Sequence, residues 1–551
     1  MDNAKGKLIA RLFPDRLIPP EELETKYPKR NLPEGAMVTR VAPSPTGSVH
    51  FGGLYASLIS ERLAHQSQGV FILRIEDTDK KREIEGAAGL FSAALERYGI
   101  LFDEGPDKTG KEKGEYGPYK QSDRSTLYHS YIKLLLEKDL AYPCFATPEE
   151  LEELRSRQEA LGQRSGYYGE FAVWRHKSPE EALEALDKGL KPVIRFRSPG
   201  DFNRKIRIED LLLGKREMPE NDQDIVIMKT DGLPTYHFAH AIDDHLMRTT
   251  HVIRGNEWFP SLPLHLQLFD ALGFARPAYA HLAPIQKMEE GKKRKLSKRK
   301  DPEADINFYR QAGYPEEAVI EYLLNLANSN FEDWRRENGE KDNREFQLSF
   351  KKLANSSGPL FDLTKLADIS KDIVARLDAE TLFVRILAWA KEFDLELAEM
   401  LMRDKEYAIK ILDIERSGVD KPRKDIGRFA DAKDQISYFY DDKFILSPEI
   451  RKEAEEGLNG ADGYAAISEF MAAYDGNEDP TIWFDKLKII GGKHGFSPSP
   501  AELKAHPEKY QTGVGSLAKL IRVLLTGRTQ TPNLCYIMRV MGRDRIENRL
   551  K

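Results

Sequence analysis

The fold of this chain is decided by the stretch Pro43-Ser44-Pro45-Thr46-Gly47-Ser48-Val49-His50-Phe51-Gly52-Gly53. It follows an extended apolar run at 37–42 and precedes a helical one. The prolines stiffen the turn, and the glycines let the backbone approach a ligand with no side chain in the way. Free N–H groups and the dipole at the start of a helix favour a bound phosphate. The stretch therefore predicts a nucleotide-binding turn between a strand and a helix.

Strands and helices alternate from about 37 to 105. Apolar residues recur at helical spacing in two segments, Leu54, Leu58, Ile59 and Leu63 in the first and Leu90, Ala94, Leu95 and Tyr98 in the second. Between them, residues 70–75 form a second apolar strand that ends at Glu76. The alternation predicts a parallel sheet, which binds ligands at the carboxyl ends of its strands. Pro43 and Glu76 both lie at such ends.

A second informative stretch lies about 250 residues further on, Lys295-Leu296-Ser297-Lys298-Arg299. A serine between two lysines suits a polyphosphate whose charge grows in a transition state. By itself a basic run is more often a solvated surface or a nucleic-acid patch. The pairing of this loop with the earlier turn carries the functional interpretation.

The rest of the chain indicates several domains. Composition changes between about 127 and 220, which indicates an insertion in the nucleotide-binding fold. Strand patterns return at 224–228, and an Asp-Gly turn predicts a hairpin whose second strand is 235–239. A strand at 251–254 and a helix at 262–272 follow. Helical periodicity dominates beyond about 301.

Length and composition indicate a multidomain protein from a reducing compartment. The 551 residues predict about three to five domains, and no run of about 18 apolar residues could span a bilayer. Residues 1–36 have no apolar core of a signal peptide. The two cysteines are far apart, which fits a cytoplasmic protein. A net charge of −6 does not indicate nucleic-acid binding, so any RNA surface must be a local basic stripe.

In this order, the two stretches resemble the His-x-Gly-His and Lys-Met-Ser-Lys-Ser signatures of class I aminoacyl-tRNA synthetases. Pro-Ser-Pro-Thr-Gly before the histidine is similar to the glutamyl branch, although Gly53 replaces the second histidine of the general signature. The resemblance covers nearly all of 37–551, and the helical C-terminal half is like that of bacterial glutamyl enzymes. It implies an α/β fold, with a Rossmann-like parallel-sheet catalytic domain split by an α+β insertion and followed by an all-α anticodon-binding region.

With this resemblance, the sequence predicts six segments. They are an N-terminal extension at 1–36, the first half of the catalytic domain at 37–126, an inserted acceptor-binding domain at 127–220, the second catalytic half at 221–300, a stem-contact region at 301–370 and a helical anticodon-binding region at 371–551, with a further division near 460 left open.

The resemblance implies ATP-dependent ligation of L-glutamate to tRNA-Glu through a glutamyl-adenylate, and it leaves open whether tRNA-Gln is also charged. His50 and Lys298 are the expected catalytic residues. The expected ATP contacts are Thr46, Gly47, His50, Gly52, Gly53, Lys295 and Lys298. Such a reaction needs positioning and charge stabilisation on phosphate rather than covalent chemistry by the protein.

Glutamate carries two carboxylates and one ammonium, so its site should present two cationic forks and one anion. Arginine matches a carboxylate with two parallel hydrogen bonds. By resemblance to the family patterns Thr-Arg-x-Ala-Pro-Ser, Arg-Ile-Glu-Asp-Thr-Asp, Pro-Thr-Tyr-x-x-Ala and Val-Ile-Arg, the pocket would comprise Arg40, Ser44, Glu76, Tyr236 and Arg254. Some relatives place asparagine four residues after the tyrosine, where this chain has His240.

No protein-bound metal is expected. Asp243-Asp244-His245, interpreted as part of a strand, would point to opposite faces. A structural zinc of the kind found in some glutamyl enzymes needs more than the single Cys144 of the insertion. Mg²⁺ would arrive with ATP. We also expect a monomer with no membrane partner.

Two alternatives remain at this point. One is the truncated glutamyl paralogue that modifies a queuosine base and lacks an anticodon-binding region. The other is a catalytically idle RNA-binding paralogue, which would be expected to lose His50, Lys298 or Arg254. Candidate phosphate contacts in the helical region, with solvated helix faces as the alternative, are Arg423, Lys424, Arg428, Arg539, Arg543, Arg545 and Arg549. The segment 119–124 also resembles a family segment near the entry of the tRNA acceptor strand.

Overall fold

The structure, a computed structural model, describes residues 3–45, 47–353 and 358–550. These residues form two compact units. The first comprises Met1–Phe308 and Ile320–Asp362, and the second comprises Tyr309–Val319 and Leu363–Lys551. None of the helices in the described ranges is long and apolar enough to cross a membrane.

The N-terminal extension is packed into the first unit. It forms two helices, α1 (Asn3–Leu12) and α2 (Pro20–Lys26). Leu23 and Tyr27 are buried in the core of the unit. Arg30 donates two hydrogen bonds to the Glu104 carboxylate, at 2.6 and 2.8 Å, and a third to the carbonyl oxygen of Met247. The extension therefore contributes both apolar contacts and a largely buried ion pair to this unit.

Replacing Arg30 with methionine is expected to destabilise the protein by about 3 kcal/mol, because Glu104 would keep a desolvated charge without its cation. Urea unfolding of the full chain measures the loss. The matched control is Arg11→Met, which removes an exposed ion pair to Asp187 from the same extension and should cost below about 1 kcal/mol. Equal losses for the two variants would contradict the buried-pair argument.

Two parallel strands and their crossover helix form the segment in which the sequence predicts nucleotide binding. The elements are β1 (Val38–Val41), α3 (Phe51–Gln66), β2 (Val70–Leu73), α4 (Ala87–Arg97), β3 (Gly105–Pro106), β4 (Glu112–Lys113) and α5 (Ser125–Glu137). Strand β1 pairs with β2 in parallel, from Val38 opposite Val70 to Val41 opposite Leu73. The predicted apolar face of α3 is buried, whereas Leu90 of α4 is 61% exposed.

The segment predicted as an insertion, 127–220, and the residues just after it contain a three-stranded antiparallel sheet and a long hairpin, so the sheet crosses the predicted boundary at 220. The elements are β5 (Ala141–Cys144), α6 (Pro148–Ala160), α7 (Pro179–Asp187), β6 (Val193–Phe196), β7 (Lys205–Asp210), β8 (Gly214–Pro219) and β9 (Val226–Met228). The sheet has the order β5-β6-β9. Both helices begin with a capping box, at Thr147 and Ser178, in which the side chains of the cap and of a glutamate satisfy free backbone N–H groups.

The second catalytic half returns to parallel pairing. It contains α8 (Tyr236–Leu246), β10 (His251–Gly255), α9 (Leu262–Leu272), β11 (Ala278–Leu282), β12 (Gln286–Glu289) and β13 (Lys292–Lys295). Strand β10 pairs in parallel with β11, and the Thr250 N–H donates to the Val38 carbonyl oxygen, which places β10 beside β1. The hairpin formed by β12 and β13 leads into the basic loop. This arrangement confirms the α/β class and the parallel sheet.

The predicted strand at 235–239 is wrong. Met228 and Pro234 form only an isolated antiparallel bridge, and α8 begins at Tyr236. Phe238, Ile242 and Leu246 recur every four residues and are all buried, which is helical spacing. Asp243 and Asp244 therefore lie on a helix, and the opposite-face argument made for a strand does not apply to them.

Four short helices follow in the chain: α10 (Ile306–Gln311), α11 (Glu316–Ala327), α12 (Asn330–Glu337) and α13 (Phe350–Leu353). Phe51 at the start of α3 contacts Tyr322 and Phe361, with ring centroids 6.4 and 5.6 Å apart. These aromatic contacts fix the position of the beginning of α3 within the first unit.

The second unit is helical apart from one pair of two-residue strands. Its elements are α14 (Leu363–Arg376), α15 (Ala379–Phe393), α16 (Leu395–Arg403), α17 (Lys405–Asp413), α18 (Asp431–Ile436), α19 (Pro448–Glu456), α20 (Gly463–Ala473), α21 (Pro480–Lys493), β14 (Phe496–Ser497), α22 (Pro500–Ala505), β15 (Thr512–Gly513), α23 (Val514–Thr526), α24 (Leu534–Met541) and α25 (Arg543–Leu550). Buried apolar side chains from most of these helices form one core.

Several of the arginines proposed as phosphate contacts are engaged inside this unit. Arg543 donates to the carbonyl oxygens of Met471 and Tyr474, at the end of α20. Arg549 donates to those of Tyr438 and Leu525. Free carbonyls at helix ends need such donors. These two arginines therefore have structural roles, and phosphate contact by the remaining basic side chains stays a prediction.

Candidate active site

A cleft of about 1300 Å³ lies at the carboxyl ends of the parallel strands in the first unit. It brings together most of the predicted site residues. Its lining includes Arg40, Ser44, His50, Gly52, Gly53, Glu76, Tyr236, Arg254 and Lys295. Gly47 and Lys298 are not among the described residues that line the cleft. Thr46 lies outside the described residues. Side chains separated by up to 255 positions thus share one cavity, as expected for a parallel sheet.

His50 is the N-cap residue of α3. Its Nδ1 accepts a hydrogen bond of 2.9 Å from the Gly52 N–H. An imidazole nitrogen that accepts has no proton, so in neutral His50 the proton is on Nε2, which is free to donate to a ligand. Burial, and secondarily Lys298 and Lys295, lower the pKa of His50, which favours this neutral form. A Cβ on Gly52 would lie 3.2 Å from His50 Nδ1, so glycine leaves room for the ring.

The basic loop reaches the same helix start. The Lys298 ammonium donates to the Ser48 carbonyl oxygen and, at 3.0 Å, to its hydroxyl. The loop is anchored by Asp301, which accepts from the Ser297 N–H at 3.0 Å and from Arg294 at 2.6 Å. Lys295 is more than half exposed and lies 4.0 Å from Glu257. Two ammonium groups and the His50 donor therefore border the N-terminus of α3, which already favours anions.

A buried network of ions supports the other end of the cleft. Asp244 on α8 accepts from Arg74 at 2.6 Å and from Arg40 at 3.2 Å, and Arg74 also donates to Glu76 at 3.0 Å. Asp243 accepts from Arg124 at 2.6 Å. The neighbouring guanidinium groups of Arg40 and Arg74 hold the pKa of Asp244 well below its usual range, in spite of its burial. The Asp-Asp pair is thus a structural ion-pair site that fixes two residues of the cleft, Arg40 and Glu76.

The Glu76 carboxylate is buried with too little positive charge around it to offset its desolvation. Burial raises the pKa of its carboxyl, and the attraction of Arg74 and Arg40 only partly opposes this. A cation brought by a ligand would restore the charged form. The carboxylate therefore suits an ammonium group.

Arg254 is bound by three uncharged partners. Its guanidinium donates to His281 at 3.0 Å, to the Tyr236 hydroxyl at 3.2 Å and to His265 at 3.1 Å. Tyr236 also packs against Trp258, with ring centroids 4.3 Å apart. Tyr236 and Arg254 are thus held together at the wall of the cleft.

His240 is buried behind this wall rather than lining it. Its Nδ1 lies 2.7 Å from the Asp244 carboxylate, and its Nε2 lies 3.0 Å from the Tyr279 hydroxyl. Burial lowers the pKa of His240 to about 3, and Asp244 only partly opposes this. The imidazole is neutral at physiological pH and links the ion network to the aromatic core.

The depressed pKa of His240 predicts a pH-dependent stability. Unfolding returns the pKa to about 6.5, so the unfolded chain binds one more proton between about pH 6.5 and 3, and stability is lost as the pH falls through that window. His240→Asn should reduce the slope of unfolding free energy against pH between 6 and 5 by about 1 kcal/mol per pH unit. Urea unfolding at both pH values measures it. An unchanged slope in the variant would contradict the neutral assignment.

The sequence analysis missed several residues of the site. Arg74 begins the Arg-Ile-Glu-Asp-Thr-Asp pattern but was given no role, and the structure shows it as the buried partner of Glu76 and Asp244. His265 and His281 carry no motif signal by themselves and become visible only as buried partners of Arg254. Trp258 was detectable as an aromatic residue four positions after Arg254. Within the segment 119–124, Gln121 and Arg124 are buried partners of Asp243, so these two side chains serve the ion network. The described residues contain no group of three or more side chains that could hold a metal ion.

Comparisons with known proteins identify the family of this chain. The family model described as "tRNA synthetases class I (E and Q), catalytic domain" matches residues 36–366, and one for an anticodon-binding domain matches 499–551. A glutamate–tRNA ligase of Clostridium perfringens is 46% identical over 540 residues, which is 98% of each chain. One of Clostridium beijerinckii is 47% identical over 529 residues, 95% of each chain. The anticodon-domain match argues against the truncated queuosine-modifying paralogue.

A solved structure gives the same result at the level of the fold. The crystal structure of a glutamate tRNA ligase from Elizabethkingia meningosepticum, in complex with its amino acid, superposes with a TM-score of 0.74 at 29% identity, covering 93% of this chain and 98% of that one. With the nucleotide-binding turn, the basic loop and the two-arginine cleft, these matches show that the chain belongs to the glutamate–tRNA ligase family of class I tRNA synthetases.

Proposed function

We propose that this protein ligates L-glutamate to tRNA-Glu in two steps. The glutamate α-carboxylate attacks the α-phosphate of ATP to form glutamyl-adenylate and pyrophosphate, and a ribose hydroxyl of tRNA then attacks the adenylate and releases AMP. The observation that carries the proposal is the cleft that joins Arg40, Glu76 and Arg254 to the N-terminus of α3. Membership of the family supplies the reaction class.

His50 and Lys298 are assigned to the phosphate chemistry. The Nε2–H of His50 is the free donor beside the α3 N-terminus, and it can stabilise the oxygens of the pentavalent α-phosphate. Lys298 would move from Ser48 onto the leaving pyrophosphate, with Lys295 beside it. Gly47, Gly52 and Gly53 would let the backbone approach ATP. The Mg²⁺ expected with ATP would be held mainly by the phosphates.

The amino-acid end of the cleft matches glutamate in charge. Arg40 and Arg254 supply one cationic fork for each carboxylate, Glu76 supplies an anion for the ammonium, and Ser44 and Tyr236 supply hydroxyl groups. Which arginine binds which carboxylate is left open. A neutral glutamine side chain would leave one buried guanidinium without an anion, and this unpaired charge would reject it.

Charging assays test the proposal directly. Purified protein with ATP is given radiolabelled glutamate or glutamine and, separately, transcripts of tRNA-Glu and tRNA-Gln. We expect glutamate to be charged on tRNA-Glu and glutamine on neither. The tRNA-Gln reaction with glutamate decides whether the protein acts on one tRNA or two. Efficient charging with glutamine would overturn the assignment of the two carboxylate sites, and no charging at all would favour an RNA-binding paralogue.

Three further expectations belong to this proposal. The protein acts as a monomer in the cytoplasm, and it contains no structural zinc. The zinc expectation is checked by elemental analysis of untagged protein, where stoichiometric zinc would contradict it. The insertion has one cysteine, Cys144, whose side chain is buried beside Tyr167.

A further inference from the structure

The partners of Arg254 differ in charge from those of three other buried arginines of the first unit. Arg40 and Arg74 share the Asp244 carboxylate, and Arg124 is paired with Asp243. Arg254 is only 5% exposed, yet its three hydrogen-bond partners among the described residues are two histidines and a tyrosine. A buried guanidinium needs a carboxylate or carbonyl oxygens to compensate its desolvation. Backbone carbonyls serve Arg195 and Arg416 in this way, whereas Arg254 has neither kind of partner among the described residues. In this cleft an anionic group of a ligand can supply the missing negative charge.

The geometry requires both histidines to be neutral. A guanidinium has only donors and keeps its charge at any relevant pH, so the imidazole nitrogens facing it must present lone pairs. The proton of His281 is therefore on Nδ1, which lies 2.6 Å from the Asp210 carboxylate. The proton of His265 is on Nε2, which lies 2.9 Å from Nδ1 of His237. Burial lowers the pKa of both His265 and His281, in agreement with this assignment.

The second partner of His281, the Asp210 carboxylate, fixes the position of the imidazole proton. Asp210 also accepts hydrogen bonds from the Leu212 and Leu213 N–H groups at the turn between β7 and β8, so its carboxylate is held in place. It can only accept, which keeps the His281 proton on Nδ1 and the lone pair of Nε2 toward Arg254. The guanidinium is thus oriented without receiving a compensating negative charge.

We propose that His265 and His281 are positioning residues that hold Arg254 as an uncompensated cation, and that selection of a carboxylate over an amide depends on their neutrality. The inference rests on the proposed function and assigns Arg254 to the side-chain carboxylate of glutamate, the group that is an amide in glutamine. An aspartate or glutamate at either position would orient Arg254 equally well but neutralise it. The charge of these two side chains, rather than their ability to accept a hydrogen bond, then sets the preference of the site.

Matched pairs of variants separate charge from hydrogen bonding. An asparagine oxygen can replace Nδ1 of His265, and a glutamine oxygen can replace Nε2 of His281. The pairs are therefore His265→Asn with His265→Asp, and His281→Gln with His281→Glu. We expect the amide variants to keep the KM for glutamate within about fivefold, and the acidic variants to raise it about 100-fold with kcat and the KM for ATP little changed. The ratio of glutamate to glutamine charging should fall at least tenfold in the acidic variants only.

Equal glutamate KM values for the acidic and amide members of both pairs would overturn the proposal. Because a buried acid could prevent folding, a second measurement uses the wild-type protein. Nitrogen-15 spectra of histidine-labelled protein at pH 7, assigned with the two amide variants, should show the Nδ1–H tautomer for His281 and the Nε2–H tautomer for His265. An imidazolium at either position would also overturn it.

Arg254→Gln distinguishes this inference from the proposed function. If that variant leaves the KM for glutamate unchanged, Arg254 binds no substrate carboxylate and the pocket assignment fails. If it raises the KM while the acidic and amide histidine variants behave alike, the pocket assignment stands and only the role of the neutral imidazoles is wrong.

Discussion

Replacing Lys298 with alanine is expected to lower kcat for glutamate charging by about 10²- to 10³-fold while leaving the KM for glutamate largely unchanged. A donor aimed at charge that develops on phosphate in the transition state contributes about 3–4 kcal/mol, and glutamate itself does not touch it. Steady-state kinetics with saturating ATP and tRNA measure both constants. Lys300→Ala is the matched control, since Lys300 is an exposed lysine of the same loop near Glu289, and it should stay within about threefold of wild type.

Replacing His50 should lower kcat by about as much as replacing Lys298. Two variants separate its role as the N-cap of α3 from its role as a donor to phosphate. His50→Asn keeps a side-chain acceptor for the Gly52 N–H, whereas His50→Ala loses both that N-cap and the Nε2 donor. Both variants should lose about 10²-fold or more in kcat, and only the alanine variant should also lose about 1 kcal/mol of stability. If the asparagine variant kept full activity, His50 would be a helix cap and not a catalytic residue.

Replacing Arg254 or Arg40 with glutamine is expected to abolish glutamate charging without creating efficient glutamine charging. Loss of one fork removes the anion contact, and the remaining arginine and Glu76 still require their own charged partners. The wild-type preference for glutamate over glutamine should be on the order of 10⁴-fold, because an amide leaves a buried guanidinium unpaired. The ratio of kcat/KM for the two amino acids measures it.

The control for this pair is Arg276→Gln. Arg276 is an exposed arginine that donates to Asp270 at 2.8 Å. Its replacement should leave the ratio of kcat/KM for glutamate to that for glutamine unchanged. A variant at Arg254 that charged glutamine as well as the wild type charges glutamate would show that the pocket recognises shape and not charge.

The buried ion network that supports the cleft illustrates what could not be predicted. Asp243 and Asp244 drew attention as an acidic pair, but their interpretation depended on a strand that is in fact α8. Their partners Arg74 and Arg124 lie between 119 and 170 positions earlier in the chain. Local periodicity carries no information about contacts at that separation, so the buried ion network was inaccessible to sequence reasoning. The same holds for His265 and His281.

The N-terminal extension and the C-terminal arginines are further examples. Residues 1–36 had no motif, and only the packed structure shows that Arg30 forms a largely buried ion pair with Glu104. Arg543 and Arg549 looked like surface cations, whereas their guanidinium groups bind backbone carbonyls of other helices. Charge in a sequence reports that a cation is present and not what it contacts.

The sequence by itself predicted the parallel α/β fold, the turn at 43–53 and the basic loop, because each depends on local backbone preferences. Resemblance to family motifs, together with positions at strand ends, predicted the arginines and the glutamate that line the cleft. The tertiary structure alone decided the protonation of His50 and the partners of Arg40 and Arg254. It also decided that the hydrogen-bond partners of Arg254 are two imidazoles and a phenol. These properties follow from burial and from the hydrogen bonds of groups far apart in the chain, and both exist only after the elements have packed.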